Sequence, residues 1–150
     1  QDYDRAIQID PQFAEAYYNR GIAYSDLGDH QRAIQDYDRA IQIDPQDAHA
    51  YTNRGNAYSD LGDYQRAIQD YDRAIQIDPQ LAAAYSNRGV AYSDLGDHQR
   101  AIQDYDRAIQ IDPQFAEAYY NRGLAYKALG KTAQAEADFK KYEELTGQKP

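Results

Sequence analysis

The chain has 150 residues, 42% of them hydrophobic and 13% aromatic, which is too apolar for a disordered segment and short enough for one domain. It has no cysteine, which excludes disulfides, thiolate metal sites and cysteine nucleophiles. The net charge of −9 is uneven, with 11 Arg against 21 Asp or Glu over residues 1–126 and every lysine at or after Lys127; such an acidic body disfavours nucleic acid and favours a neutral or basic partner.

No apolar run approaches the roughly 18 residues of a membrane span, and no signal-peptide pattern is present, so a soluble protein is expected and the cytoplasm is the default compartment. The chain lacks methionine and opens at Gln1, which reads as a piece of a longer protein. Residues 1–9 repeat residues 35–43 letter for letter, so the first predicted element is a helix, followed by a turn to residue 13.

The next element runs from Ala14 to Leu27. It has no proline, and Tyr17, Gly21, Tyr24 and Leu27 recur at helical spacing. Gly28 suits the left-handed position that ends a helix, and Asp29 suits the N-cap of the next. In that second helix Ala33, Ile34, Tyr37, Ala40 and Ile41 are expected to face inward until Asp44-Pro45 stops it. The whole pattern then returns with a period of 34 residues, NRG recurring at 19–21, 53–55, 87–89 and 121–123. Such a period means stacked two-helix units that cannot bury their apolar faces alone. The predicted organisation is one array: residues 1–13 are an orphan second helix and turn, and the repeats are 14–47, 48–81, 82–115 and 116–150. The last helix is expected to cap the array, because Tyr142 and Glu143 replace Ala40 and Ile41.

These residues resemble the tetratricopeptide repeat. The family pattern of an aromatic, Leu-Gly, Tyr, Ala, an aromatic, Ala and Pro is matched by Tyr17, Arg20-Gly21, Tyr24, Ala33, Tyr37, Ala40 and Pro45. The resemblance implies an all-α fold, a right-handed α-solenoid of antiparallel helix pairs, whose first helices line a concave groove that binds protein segments.

The arginine in place of leucine recurs as Arg20, Arg54, Arg88 and Arg122. It is expected to lay its stem over the neighbouring tyrosines and to pair with an aspartate of the Asp36 type, on its own second helix or the preceding one, because buried guanidinium groups are paired. The Asp38 type is expected to face solvent, since repeat four has Lys140 there.

The asparagine before each arginine lies about 100° away around the helix, toward the face that the family uses as its groove. The repeats differ from one another along the same stripe, at 15/49/83, 18/52/86 and 22/56/90. The candidate peptide-binding face therefore holds Asn19, Asn53, Asn87 and Asn121, beside Tyr18, Thr52, Ser86 and Tyr120, then Ile22, Asn56, Val90 and Leu124, with the acids Asp26, Asp60 and Asp94. Primary amides both donate to and accept from an extended backbone, and the series resembles the asparagine ladders with which members of the family hold extended peptides. The carboxylate clamp of chaperone-binding members needs lysines where this chain has Tyr18 and Ala83, so binding of an acidic chaperone tail is disfavoured.

An enzyme is not expected. No nucleophile, base and orienting group converge, and no glycine-rich phosphate loop is present. His30 and His98 belong to repeats two units apart, roughly 20 Å by helix spacing, and no metal or cofactor is expected. Asp26-Leu27-Gly28-Asp29 lacks a calcium loop's length and terminal glutamate and is read as a C-cap followed by an N-cap. Two functions remain open: an interaction module that grips an extended, neutral-to-basic peptide segment, and a repeat array, natural or consensus-designed, without a dedicated ligand that associates end to end with its own copies through residues 1–9.

Overall fold

The computed structural model describes residues 2–150, which form nine helices and no strand. They are α1 (Asp2–Ile9), α2 (Ala14–Asp26), α3 (His30–Ile43), α4 (Ala48–Asp60), α5 (Tyr64–Ile77), α6 (Ala82–Asp94), α7 (His98–Ile111), α8 (Ala116–Ala128) and α9 (Thr132–Thr146). The fold class is the all-α helical-repeat solenoid. Gln1, expected in the first helix, lies outside the described residues, and α1 buries none of its side chains.

The helix boundaries follow from local chemistry. Gly28 takes φ +76, a conformation that costs other residues a steric penalty. The turn lets its N–H reach the Ser25 carbonyl at 2.9 Å and the Asp29 N–H reach that of Tyr24 at 2.9 Å, satisfying groups that the helix end would otherwise strand. The Asp29 carboxylate then accepts the Arg32 N–H at 3.1 Å and starts α3. Asp63 and Asp97 do the same for α5 and α7. The helix expected to run to Leu27 ends at Asp26, and Leu27 becomes a C-cap residue that is 80% exposed.

The chain forms two compact units, Gln1–Pro79 and Gln80–Pro150. In the first, α2 pairs with α3 and α4 with α5, α3 packs on α4, and α2 and α4 lie side by side. Its core is made of small residues around two aromatic rings: Ala33, Ala40, Ala67 and Ala74 are at most 1% exposed, as are Tyr37 and Tyr71. Gly21 lies so close to Tyr37 that a Cβ would stand 2.7 Å from the ring, and Gly55 repeats this against Tyr71. In the second unit α6/α7 and α8/α9 pair in the same way, α7 packs on α8, and α6 touches α8. Ala101, Tyr105 and Ala125 centre its core, with Val90, Tyr92 and Ile102 packed on them.

The arginines are held as expected by their own second helix. Arg20 Nε and Nη2 each reach the Asp36 carboxylate at 2.7 Å, and Arg122 grips Asp138 at 2.8 and 2.6 Å. The stem lies over tyrosines, with the Arg20 guanidinium carbon 5.8 Å from the Tyr17 ring centre and 5.9 Å from that of Tyr24. The preceding helix contributes a different aspartate from the one expected. Arg54 Nη1 reaches Asp38 at 2.6 Å, and Arg20 and Arg122 reach Asp4 and Asp106, the same repeat position, at 2.7 and 2.6 Å. Asp38 makes this third contact while 46% of its side chain stays exposed. Lys140 holds this repeat position in α9.

Candidate functional site

The candidate face is carried by the first helix of each pair. In the first unit α2 presents Tyr18, Asn19 and Ile22 half-buried, and α4 presents Asn53 and Asn56 half-buried, with Asp26 and Asp60 exposed. Adjacent helices are tied at this face, because Asn53 Nδ2 donates to the Tyr18 hydroxyl at 3.0 Å. Burial, then the negative charge of Asp47, raises the Tyr18 phenol above its ordinary value, against the Asn53 hydrogen bond. The neutral phenol accepts from Asn53 through its oxygen and keeps its own O–H as a donor. Below it the Tyr18 and Tyr37 rings meet with centroids 6.1 Å apart.

Two concavities flank this bond. One, of about 370 Å³, is lined by Ala14, Glu15, Tyr18, Asp44, Asp47 and His49. The other, of about 230 Å³, is lined by Ile22, Ser25, Asp26, Tyr37, Asn53 and Asn56. Tyr37 and Ser25 are absent from the sequence-derived site. Tyr37 reads as core from its helical spacing, and its ring is indeed core; only the hydroxyl concerns the pocket.

Thr52 and Ser86 do not line an open surface. They are 6% and 3% exposed, and the Thr52 hydroxyl bonds back to the Ala48 carbonyl at 2.8 Å. Small hydroxyl side chains fit under the neighbouring elements where a tyrosine does not, so at the same repeat position Tyr18 and Tyr120 keep part of their surface outside. In the second unit Tyr120 packs on Phe139 and Tyr142 with centroids 5.9 and 5.2 Å away. There Asn87 and Asn121 are half-buried, Val90 leans on the core, and Leu124 is 43% exposed. Asp94 is exposed. His30 Nδ1 lies 3.5 Å from Asp60, and among the described residues no group of three His, Cys, Asp or Glu side chains is placed to hold a metal ion.

Paired helices of this length, with half-exposed amides repeated along their first helices, define a helical-repeat module for protein–protein interaction. The chain belongs to the tetratricopeptide repeat family. A family model described as TPR repeat matches residues 55–96 and 91–130, and models described as tetratricopeptide repeat match 14–47, 36–69 and 116–149. Among curated proteins none matches. Among solved structures, a crystal structure of MamA is similar at 33% identity, over 97% of this chain and 85% of that one, with a TM-score of 0.88. The first tetratricopeptide repeat region of Spaghetti (RPAP3), bound to the HSP90 peptide SRMEEVD, is similar at 30% identity over 81% of this chain and 96% of that one, with a TM-score of 0.77. MamA residues 41 to the end from Desulfovibrio magneticus RS-1 share the fold at 24% identity, 95% and 81% coverage and a TM-score of 0.86.

Proposed function

We propose that the faces of the first helices bind an extended protein segment of neutral to basic character, through its backbone more than through its sequence. The observation that carries this reading is the state of Asn53: its amide nitrogen is committed to Tyr18, which fixes the side chain and leaves Oδ1 as an oriented acceptor for a backbone N–H. Asn19 stands half-buried beside it on α2, and Asn87 and Asn121 hold the same places in the second unit. An amide fixed in advance loses little entropy on binding.

The charge of the face sets the partner's character. The peptide held by Spaghetti (RPAP3) carries two glutamates and a terminal aspartate. Here Glu15, Asp26 and Asp60 border the face, and no lysine precedes Lys127. A neutral or basic segment is therefore favoured over an acidic tail.

The test is a titration of a mixed library of extended peptides against the parent chain and a variant with Asn53→Ala and Asn87→Ala. Binding in the micromolar range, weakened at least about tenfold by the double substitution, supports the reading. Undiminished binding of every recovered peptide refutes it.

A further inference from the structure

The pocket between α2 and α4 holds a tyrosine hydroxyl that the next repeat satisfies internally and this one does not. In the second repeat the Tyr71 hydroxyl donates to Asn56 Oδ1 at 2.8 Å. The equivalent of Asn56 opposite Tyr37 is Ile22, which offers no acceptor. Tyr37 is 1% exposed and lines the pocket, yet its hydroxyl makes no hydrogen bond. The hydroxyl is not among the buried atoms left without a partner; its oxygen is open to the pocket, where a ligand can donate to it.

The rest of the lining defines the ligand. Asp26 supplies a carboxylate without an internal partner, Asn53 an amide oxygen with its nitrogen already engaged, and Ser25 a further hydroxyl. Ile22 forms an apolar wall. At about 230 Å³ the space suits one long side chain, and acceptors outnumber free donors around it. A lysine would bring three donors at one point. An arginine brings five in a planar fork that spreads over several acceptors while its stem lies on an apolar surface.

We infer that this pocket is a specificity subsite for one arginine side chain of the bound segment, its guanidinium donating to Asp26, to Asn53 Oδ1 and to the Tyr37 hydroxyl oxygen. The inference rests on the binding face proposed above and adds the residue class that face selects. In the second unit Val90 takes the place of Ile22 and Leu124 that of Asn56, so the Asn56 amide in the lining is what sets the α2–α4 pocket apart.

The probes are three nine-residue acetylated peptides of alternating alanine and threonine, identical except for a central arginine, citrulline or lysine. Citrulline keeps the shape of arginine and removes the charge. Affinity is read by fluorescence anisotropy, and the side-chain amide signals of Asn53 and Asn56 by NMR. The expected result is arginine favoured over citrulline by about tenfold and over lysine by less, with the Asn53 amide signal shifting on saturation. Asp26→Asn and Tyr37→Phe should each shrink the arginine-to-citrulline ratio, because the charged guanidinium loses more than the neutral ureido group when an acceptor is removed. Phe139 occupies the equivalent position in the fourth repeat, so the second variant is compatible with folding. Equal affinity for the arginine and citrulline peptides, both shifting α2 and α4 signals, overturns the subsite and leaves the binding face standing. A ratio untouched by both variants also overturns it. No saturable binding of any probe, nor of the mixed library, overturns both.

Discussion

Arg54 closes on Asp70 with two parallel hydrogen bonds, Nε to Oδ2 at 2.8 Å and Nη2 to Oδ1 at 2.6 Å, around a carboxylate that is only 5% exposed. Its third arm reaches Asp38, whose side chain is 46% exposed. The arginine thus joins its own pair's second helix to the preceding one, and this explains why a cation recurs where the family pattern has leucine.

The two arms should differ in worth. Arg54→Ala leaves the Asp70 charge buried without its partner and should cost about 2 to 4 kcal/mol. Asp38→Ala removes a solvent-screened pair and should cost less than about 1 kcal/mol. Urea denaturation with double-mutant cycles checks this: strong coupling of Arg54 to Asp70 and weak coupling to Asp38 is expected, and the reverse order would contradict it. Arg54→Leu with Asp70→Leu should be close to neutral.

Gly55 and Gly62 are required for different reasons. A Cβ at Gly55 meets the Tyr71 ring at 2.7 Å, while Gly62 has open space but φ +78. Gly55→Ala should cost about 1 to 3 kcal/mol through overpacking, and Gly62→Ala about 1 kcal/mol through backbone strain. In a Tyr71→Leu background the first penalty should shrink and the second persist; thermal melts of the four variants distinguish them.

The aspartates should titrate in two groups. Hydrogen bonds from the backbone and side chain of Arg32 hold the Asp29 carboxyl below its ordinary value of 3.8, and Arg66 does the same for Asp63. Their contribution is complete above that ordinary value and is lost as the pH falls through their lower folded values. Burial raises the Asp70 carboxyl against the pull of Arg54, so for this group stability falls as the pH rises through the window between the ordinary and the raised value. Carbon-13 carboxyl titration by NMR should place Asp29 and Asp63 below Asp70. The opposite order would show that the Arg54 pair outweighs burial.

Much of this fold is legible in the sequence because its determinants are local. The 34-residue period, Gly28 and Asp29 set helix ends through contacts a few residues apart. The Arg20–Asp36 pair was within reach because both lie beside stripes of known spacing. What escaped depends on the rotation of one helix against the next. Asp38 lies on the far side of its helix from the core, yet the long arm of Arg54 reaches it. Thr52 and Tyr18 share a repeat position, yet size alone sends one under cover and keeps the other partly outside. The Tyr18–Asn53 bond joins residues 35 apart, and no single-repeat pattern contains it.

That bond holds the Asn53 amide against α2 rather than leaving it loose on the face, and it yields a further prediction. Tyr18→Phe should change stability by about 1 kcal/mol or less, while hydrogen exchange at the Asn53 side-chain amide should accelerate and peptide affinity should fall. Unchanged exchange would mean that the bond does not orient Asn53 in solution.

The central claim, that the first-helix faces are the binding surface, is tested most directly by mapping a library-selected peptide onto the nitrogen-15 NMR spectrum of the chain. The account predicts shifts at Tyr18, Asn19, Ile22, Asn53 and Asn56, and at Asn87, Val90, Asn121 and Leu124, with Arg39, Gln42, Arg73 and Gln76 of the second helices unmoved. Shifts confined to the second helices or to α1, with every asparagine of the first helices silent, would contradict it.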